Sequence, residues 1–134
     1  MYCLDKEISR DSTGREIQKI VSIFFWNLQS VEFSRRFTSN SLLIVDATFR
    51  INRKGLPLII AVSKSNTKRT FPVAFCWVLE ESIEAYAFFC KCLREEIYKG
   101  VPNPAVILID LSTGITKAYN KLKCLPNSRL QYYN

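Results

Sequence analysis

The stretch Leu42-Leu43-Ile44-Val45-Asp46-Ala47-Thr48-Phe49-Arg50 decides the reading of this chain. Its first four residues are apolar without a break, as in a strand covered on both faces. Asn52-Arg53-Lys54-Gly55 follows and reads as a turn. Leu56 to Ser63 is a second strand, with Pro57 near its start, where a missing N–H does least harm. Ser65 to Arg69 is another turn, and Phe71 to Leu79 a third strand. Connections this short predict an antiparallel meander.

Downstream the apolar period changes. Ile83, Tyr86, Phe89, Leu93 and Ile97 recur at steps of three and four, which predicts an amphipathic helix over 82–99. Ser82 is its expected N-cap, and Gly100 with Pro102 its stop. Ala105 to Asp110 is a short apolar strand ending in an acid, as in a central parallel strand. Thr113 to Leu122 reads as a second helix, and Leu130 to Tyr133 as the start of a further strand. Upstream, 28–37 reads as a short helix, and Ile17 to Trp26 as a strand whose pattern also permits a helix. Residues 1–16 are a polar N-terminal segment with a turn at Asp11-Ser12-Thr13-Gly14, so the expected division is 1–16 and a domain at 17–134. The order β-β-β-α-β-α-β is α/β. A crossover helix after three antiparallel strands sets the fourth strand parallel to an earlier one. This order resembles the ribonuclease H-like fold, in which the fourth strand lies beside the first.

Composition narrows the chemistry. A chain of 134 residues is one domain by length, and 48% apolar content fits a globular core. Histidine is absent, which removes Ser-His-Asp triads, Cys-His dyads and imidazole zinc sites. The net charge of +7 favours polyanionic partners, nucleic acid before acidic membrane. Five cysteines without a CxxC fit reduced thiols better than a disulfide scaffold or zinc knuckle. No run is long and apolar enough to span a membrane. The four glycines match no phosphate-loop spacing.

Two acids stand out. Asp46 lies inside an apolar strand, on the face of Ile44 and Thr48, and Asp110 ends another. If those strands are parallel neighbours, both carboxylates reach one end of the sheet, where ligand sites of open α/β sheets lie. Converging carboxylates repel, and a divalent cation such as Mg²⁺ offsets that repulsion. Two such ions can activate an attacking oxygen and stabilise a leaving one. The alternatives are a structural ion pair for Asp46 and a capping role before Ser112 and Thr113 for Asp110. Arg50, Arg53 and Lys54 fall at the end expected for both acids, where they suit DNA phosphate contact or simply solubilise a turn. Lys64, Lys68 and Arg69 fall at the opposite end, and Lys117, Lys121 and Lys123 on the second helix.

The run from Leu42 to Leu58, with Asp46-Ala47-Thr48-Phe49, Asn52-Arg53 and Pro57-Leu58, resembles the start of the Mutator-like (MULE) transposase domain. Thr70-Phe71-Pro72-Val73-Ala74-Phe75 continues the likeness. So do Glu81-Ser82, Glu84, Tyr86 and Phe89, then Ala105 to Asp110, then Lys117-Ala118 and Leu125-Pro126-Asn127-Ser128. The resemblance covers about residues 17–134. It implies a ribonuclease H-like fold and DNA cleavage and strand transfer through a metal-binding Asp-Asp-Glu triad. Asp46 matches the first acid and Asp110 the second, with Mg²⁺ or Mn²⁺ as cofactor, DNA as partner, a homo-oligomer as an option and the nucleus as location.

The departures matter too. After Leu130-Gln131 the family usually carries Cys-x-x-His. Tyr133 stands near the Cys position, and no residue here matches the third acid. The expectation is therefore a catalytic-core portion that is inactive alone. The alternative is a non-catalytic, transposon-derived module that binds DNA or protein.

Overall fold

The computed structural model of the chain describes residues 1–48, 52–110 and 128–133, apart from the side chains of Asp110 and Tyr133. Seven strands are described: β1 (Tyr2–Arg10), β2 (Glu16–Phe25), β3 (Leu42–Thr48), β4 (Leu58–Lys64), β5 (Thr70–Val78), β6 (Val106–Asp110) and β7 (Arg129–Tyr133). Two α-helices accompany them, α1 (Leu28–Phe37) and α2 (Ile83–Cys92), and α2 runs on into a π-helical turn at Leu93–Ile97. All strands join one sheet in the order β1-β2-β5-β4-β3-β6-β7.

The expected meander is present, with β3–β4 and β4–β5 antiparallel. β6 pairs parallel with β3, and β7 parallel with β6. The strand count is higher than the order β-β-β-α-β-α-β, because the run at 17–26 is a strand and residues 2–10 add another, forming a hairpin on the β5 edge. β2 pairs with β5 only over Ser22–Phe25, while β1 follows β2 along its length with an irregularity between Asp5 and Lys6. Residues 2–10, read as a polar segment, are thus an edge strand. Such a strand is held by backbone pairing and needs little apolar alternation; only Cys3, Leu4 and Asp5 of β1 are half-buried. The turn between them is as expected. Gly14 donates to the Asp11 carbonyl at 3.0 Å, and its φ of +82° is one glycine adopts freely.

One face of the sheet carries the core. Phe24, Leu43, Ile59, Ala61, Ala74, Cys76 and Ile109 are all buried there. α2 packs Phe89 edge-on against Phe24 at 5.8 Å, and α1 packs Phe33 and Phe37 against Phe71 at 5.8 and 6.3 Å. Residues of the alternate set, Ile44, Ile60, Phe75, Trp77 and Leu108, are half-buried.

Two described boundaries differ from expectation by more than one residue. β4 starts at Leu58 rather than Leu56, because Pro57 has no N–H for the ladder; its carbonyl instead accepts from Val78 N at 3.2 Å. The helix expected over 82–99 keeps α geometry only to Cys92. Tyr98 N then donates to the Leu93 carbonyl at 2.9 Å, five residues back. That widening lets the sequence neighbours Ile97 and Tyr98 both lie in the core, at 0% and 2% exposure. The Tyr98 hydroxyl is satisfied by Thr38 Oγ1 at 2.8 Å. The second helix expected at Thr113–Leu122 lies outside the described residues. No helix among the described residues is long and apolar enough to cross a membrane.

Candidate active site

β3 is flanked by β4, which pairs with Ile44–Thr48, and by β6, which pairs with Leu42–Val45. The parallel register sets Leu43 beside Ile107 and Val45 beside Ile109. The next residue on each strand is an acid, Asp46 on β3 and Asp110 on β6. The two strands run the same way, so both acids come at the carboxyl end of the sheet in adjacent backbone positions. Asp110 is itself in register with Tyr133 of β7.

Asp46 is exposed, opposite Ile60 of β4. Among the described residues its side chain makes one hydrogen bond: Oδ1 accepts from Ala47 N at 2.9 Å. This local bond fixes one carboxylate oxygen. An acid at this point of a strand is tolerated because the sheet end is wet.

β5 runs parallel to β3, so the start of α2 arrives at the same end. Ser82 caps that helix as expected, its Oγ accepting from Ala85 N at 3.1 Å. Tyr86, one turn in, is 1% exposed, and its hydroxyl donates to Glu81 Oε1 at 2.5 Å. Burial pushes the Tyr86 phenol far above its ordinary range, and the Glu81 hydrogen bond and charge, then the charge of Asp46, push it further. Asp46 is therefore within electrostatic reach of a buried, neutral phenol. Sequence reading did not assign this Tyr86–Glu81 pair to the site. The available signal was an inward-facing tyrosine five residues after an acid that precedes a helix cap.

The β3–β4 turn delivers cations to this same end. Asn52 organises it: its Oδ1 accepts from Lys54 N at 3.0 Å and Leu56 N at 3.2 Å, and its Nδ2 donates to the Leu56 carbonyl at 2.9 Å. Gly55 takes a φ of +66° to close it. Arg53 and Lys54 project from this turn and are exposed. Arg50, named with them from sequence, lies outside the described residues, as do Lys117, Lys121 and Lys123. Lys64, Lys68 and Arg69 are at the other end, about 20 Å away by the rise of β4.

The donor set is oxygen only, which suits a hard divalent cation rather than zinc. Among the described residues no three acidic or thiol side chains gather around one point. The described cysteines do not contribute: Cys76 and Cys92 are buried in the core, and burial pushes the Cys76 thiol up to about 12.

Comparison with known proteins adds one finding. A family model described as MULE transposase domain matches residues 42–132, from the first residue of β3 into β7. No curated protein matches the chain.

Proposed function

The chain belongs to the MULE transposase domain family, and from that premise we propose that Asp46 and Asp110 hold a divalent metal ion at which DNA phosphodiester bonds are cut and joined. One observation carries this reading. The register of β3 and β6 gives two acids adjacent positions at the carboxyl end of a sheet, beside a turn that presents two cations. The β3-β4-β5 meander with β6 parallel to β3 supports a ribonuclease H-like core, extended by the β1–β2 hairpin.

Mg²⁺ or Mn²⁺ bound there would activate a water or a DNA 3′-hydroxyl and stabilise the leaving oxygen. The chain's own part is positional. The Ala47 N–H orients the Asp46 carboxylate. Arg53 and Lys54 draw the phosphate backbone to the acid end and hold its register. Glu81, tied to Tyr86, adds negative charge near Asp46 and helps to draw in the cation. No residue here is assigned to the third acid of the triad, so the expected behaviour of this chain alone is metal and DNA binding without strand transfer, in the nucleus.

Mn²⁺ titration by calorimetry tests the assignment. Saturable binding to the native chain, lost in both Asp46→Asn and Asp110→Asn while both variants stay folded, is the expected result. Binding that persists unchanged in either variant refutes it.

A further inference from the structure

The end of the sheet opposite the acids holds a feature that the reading above does not use. A groove of about 510 Å³ opens between α1 and the β4–β5 turn. Its apolar wall is Phe33, Phe37 and Phe71. The three rings contact one another edge to face, with centroids 5.8 to 6.3 Å apart. All three remain half-buried rather than buried, so each keeps surface toward the groove. Arg36 and Arg69 are the charged residues lining it, and no acid does. The Arg36 guanidinium lies 5.3 Å from the centre of the Phe37 ring.

The surroundings strengthen the positive sign. Lys64 and Lys68 flank the turn and are exposed. Glu32, one helical turn before Arg36, is the acid on that helix. Arg35 is engaged elsewhere, donating to the Lys99 carbonyl at 2.6 Å. The turn is set in advance: Ser65 N donates to the Arg69 carbonyl and Lys68 N to the Ser65 carbonyl, both at 2.9 Å. Lys68 holds a left-handed φ of +61° to close it.

We propose that this groove is a second nucleic-acid site, which takes a single-stranded segment with a phosphate between Arg36 and Arg69 and an unpaired base against the phenylalanine rings. The volume falls in the range of about 300–1,000 Å³ usual for ligand pockets. Cations beside aromatic rings are the combination by which proteins hold single strands, since every base has a face to stack and every nucleotide a charge to neutralise. A duplex satisfies the arginines but keeps its bases inside. An apolar peptide would use the rings and leave the charge unanswered. A strand held here lies about 20 Å from the acids, the length of β4, so the site grips DNA without touching the chemistry. The inference is independent of the metal assignment.

Fluorescence anisotropy of the whole chain with labelled oligo-dT of about 15 nucleotides, in EDTA, tests it. Arg36→Ala/Arg69→Ala removes two exposed charges. It is expected to weaken binding at least about tenfold and to flatten the slope of log affinity against log salt by roughly 1.4, two phosphates' worth. Phe37→Leu keeps an apolar side chain. It is expected to weaken oligo-dT but not an abasic oligonucleotide of equal length. Unchanged oligo-dT affinity in the double arginine variant overturns the proposal. So does equal loss for oligo-dT and the abasic strand in Phe37→Leu, or tighter binding of a phosphopeptide than of oligo-dT. If Phe37→Leu fails to fold, the arginine variant alone decides. Loss of Mn²⁺ binding bears on the acid pair and leaves this result untouched.

Discussion

Raising the pH above 9 is expected to unfold this protein steeply. Cys76, Cys92, Tyr86 and Tyr98 are at most 4% exposed. Burial is the largest cause of the upward displacement of all four, from ordinary values of 9.0 for the thiols and 10.0 for the phenols. A group held protonated in the folded state but free to ionise when unfolded contributes its full stability below the unfolded pKa. That contribution is lost as the pH rises toward the folded one. Each such proton tilts stability by about 1.4 kcal/mol per pH unit. Between pH 10 and 11 the unfolded chain has released both thiol protons and most of the two phenolic ones, so three to four protons separate the states and stability falls by roughly 4–5 kcal/mol. That is a large part of the ~5–15 kcal/mol that holds a domain of this kind together. Urea unfolding followed by circular dichroism at pH 8, 9, 10 and 10.5 is the assay, with phenolate absorbance recorded alongside. The midpoint should hold to about pH 9 and then drop by roughly 2 M or more per unit. Two of the six tyrosines should ionise only as the chain unfolds. A midpoint that stays level to pH 11, or six tyrosines titrating together in a folded chain, refutes the reasoning.

Two further substitutions probe the packing. Phe89→Ala empties a fully buried site against Phe24 and should lower stability by about 3–5 kcal/mol in urea unfolding. Ser82→Ala removes the cap bond to Ala85 N and should cost about 1 kcal/mol, seen as a lower thermal midpoint, with Ser82→Asp restoring most of it.

Much of this architecture was legible in the sequence, and the reasons are local. The β3–β5 meander follows from short turns between apolar runs. The extent of α1 at 28–37 was legible, but its inward face was not: Ser30 and Ser34 are the buried residues, and Leu28 is 70% exposed. The Ser82 cap follows from its place before a change of period. β1 was not legible because its residues are mostly exposed and their structure depends on a partner strand rather than on their own pattern. The π-helical turn depends on Tyr98 meeting Thr38, sixty residues away, which no helical period records.

The site divides in the same way. Placing Asp46 and Asp110 at one sheet end needed only alternation and the direction of two strands. Linking Glu81 and Tyr86 to Asp46 needed knowledge of where β5 ends against β4 and β3. The groove at the far end was hidden because Phe71 reads as a core residue and Arg69 as a turn residue. Neither reading foresees α1 laying Phe33 and Phe37 beside them.

The pairing of β3 with two kinds of neighbour also sets an order in time. Joining β4 to β5 closes a turn of a few residues between Lys64 and Thr70. Joining β3 to β6 brings Leu42 to Val106 across about 60 residues. A loop ten times longer costs about 2 kcal/mol more in chain entropy, so the hairpins zip first and the parallel contact waits for them. A ribosome-bound chain that has emerged only as far as α2 can already display the strand bearing Asp46, folded against its hairpin partners. It has no second acid beside the first until β6 has been made and has docked on β3.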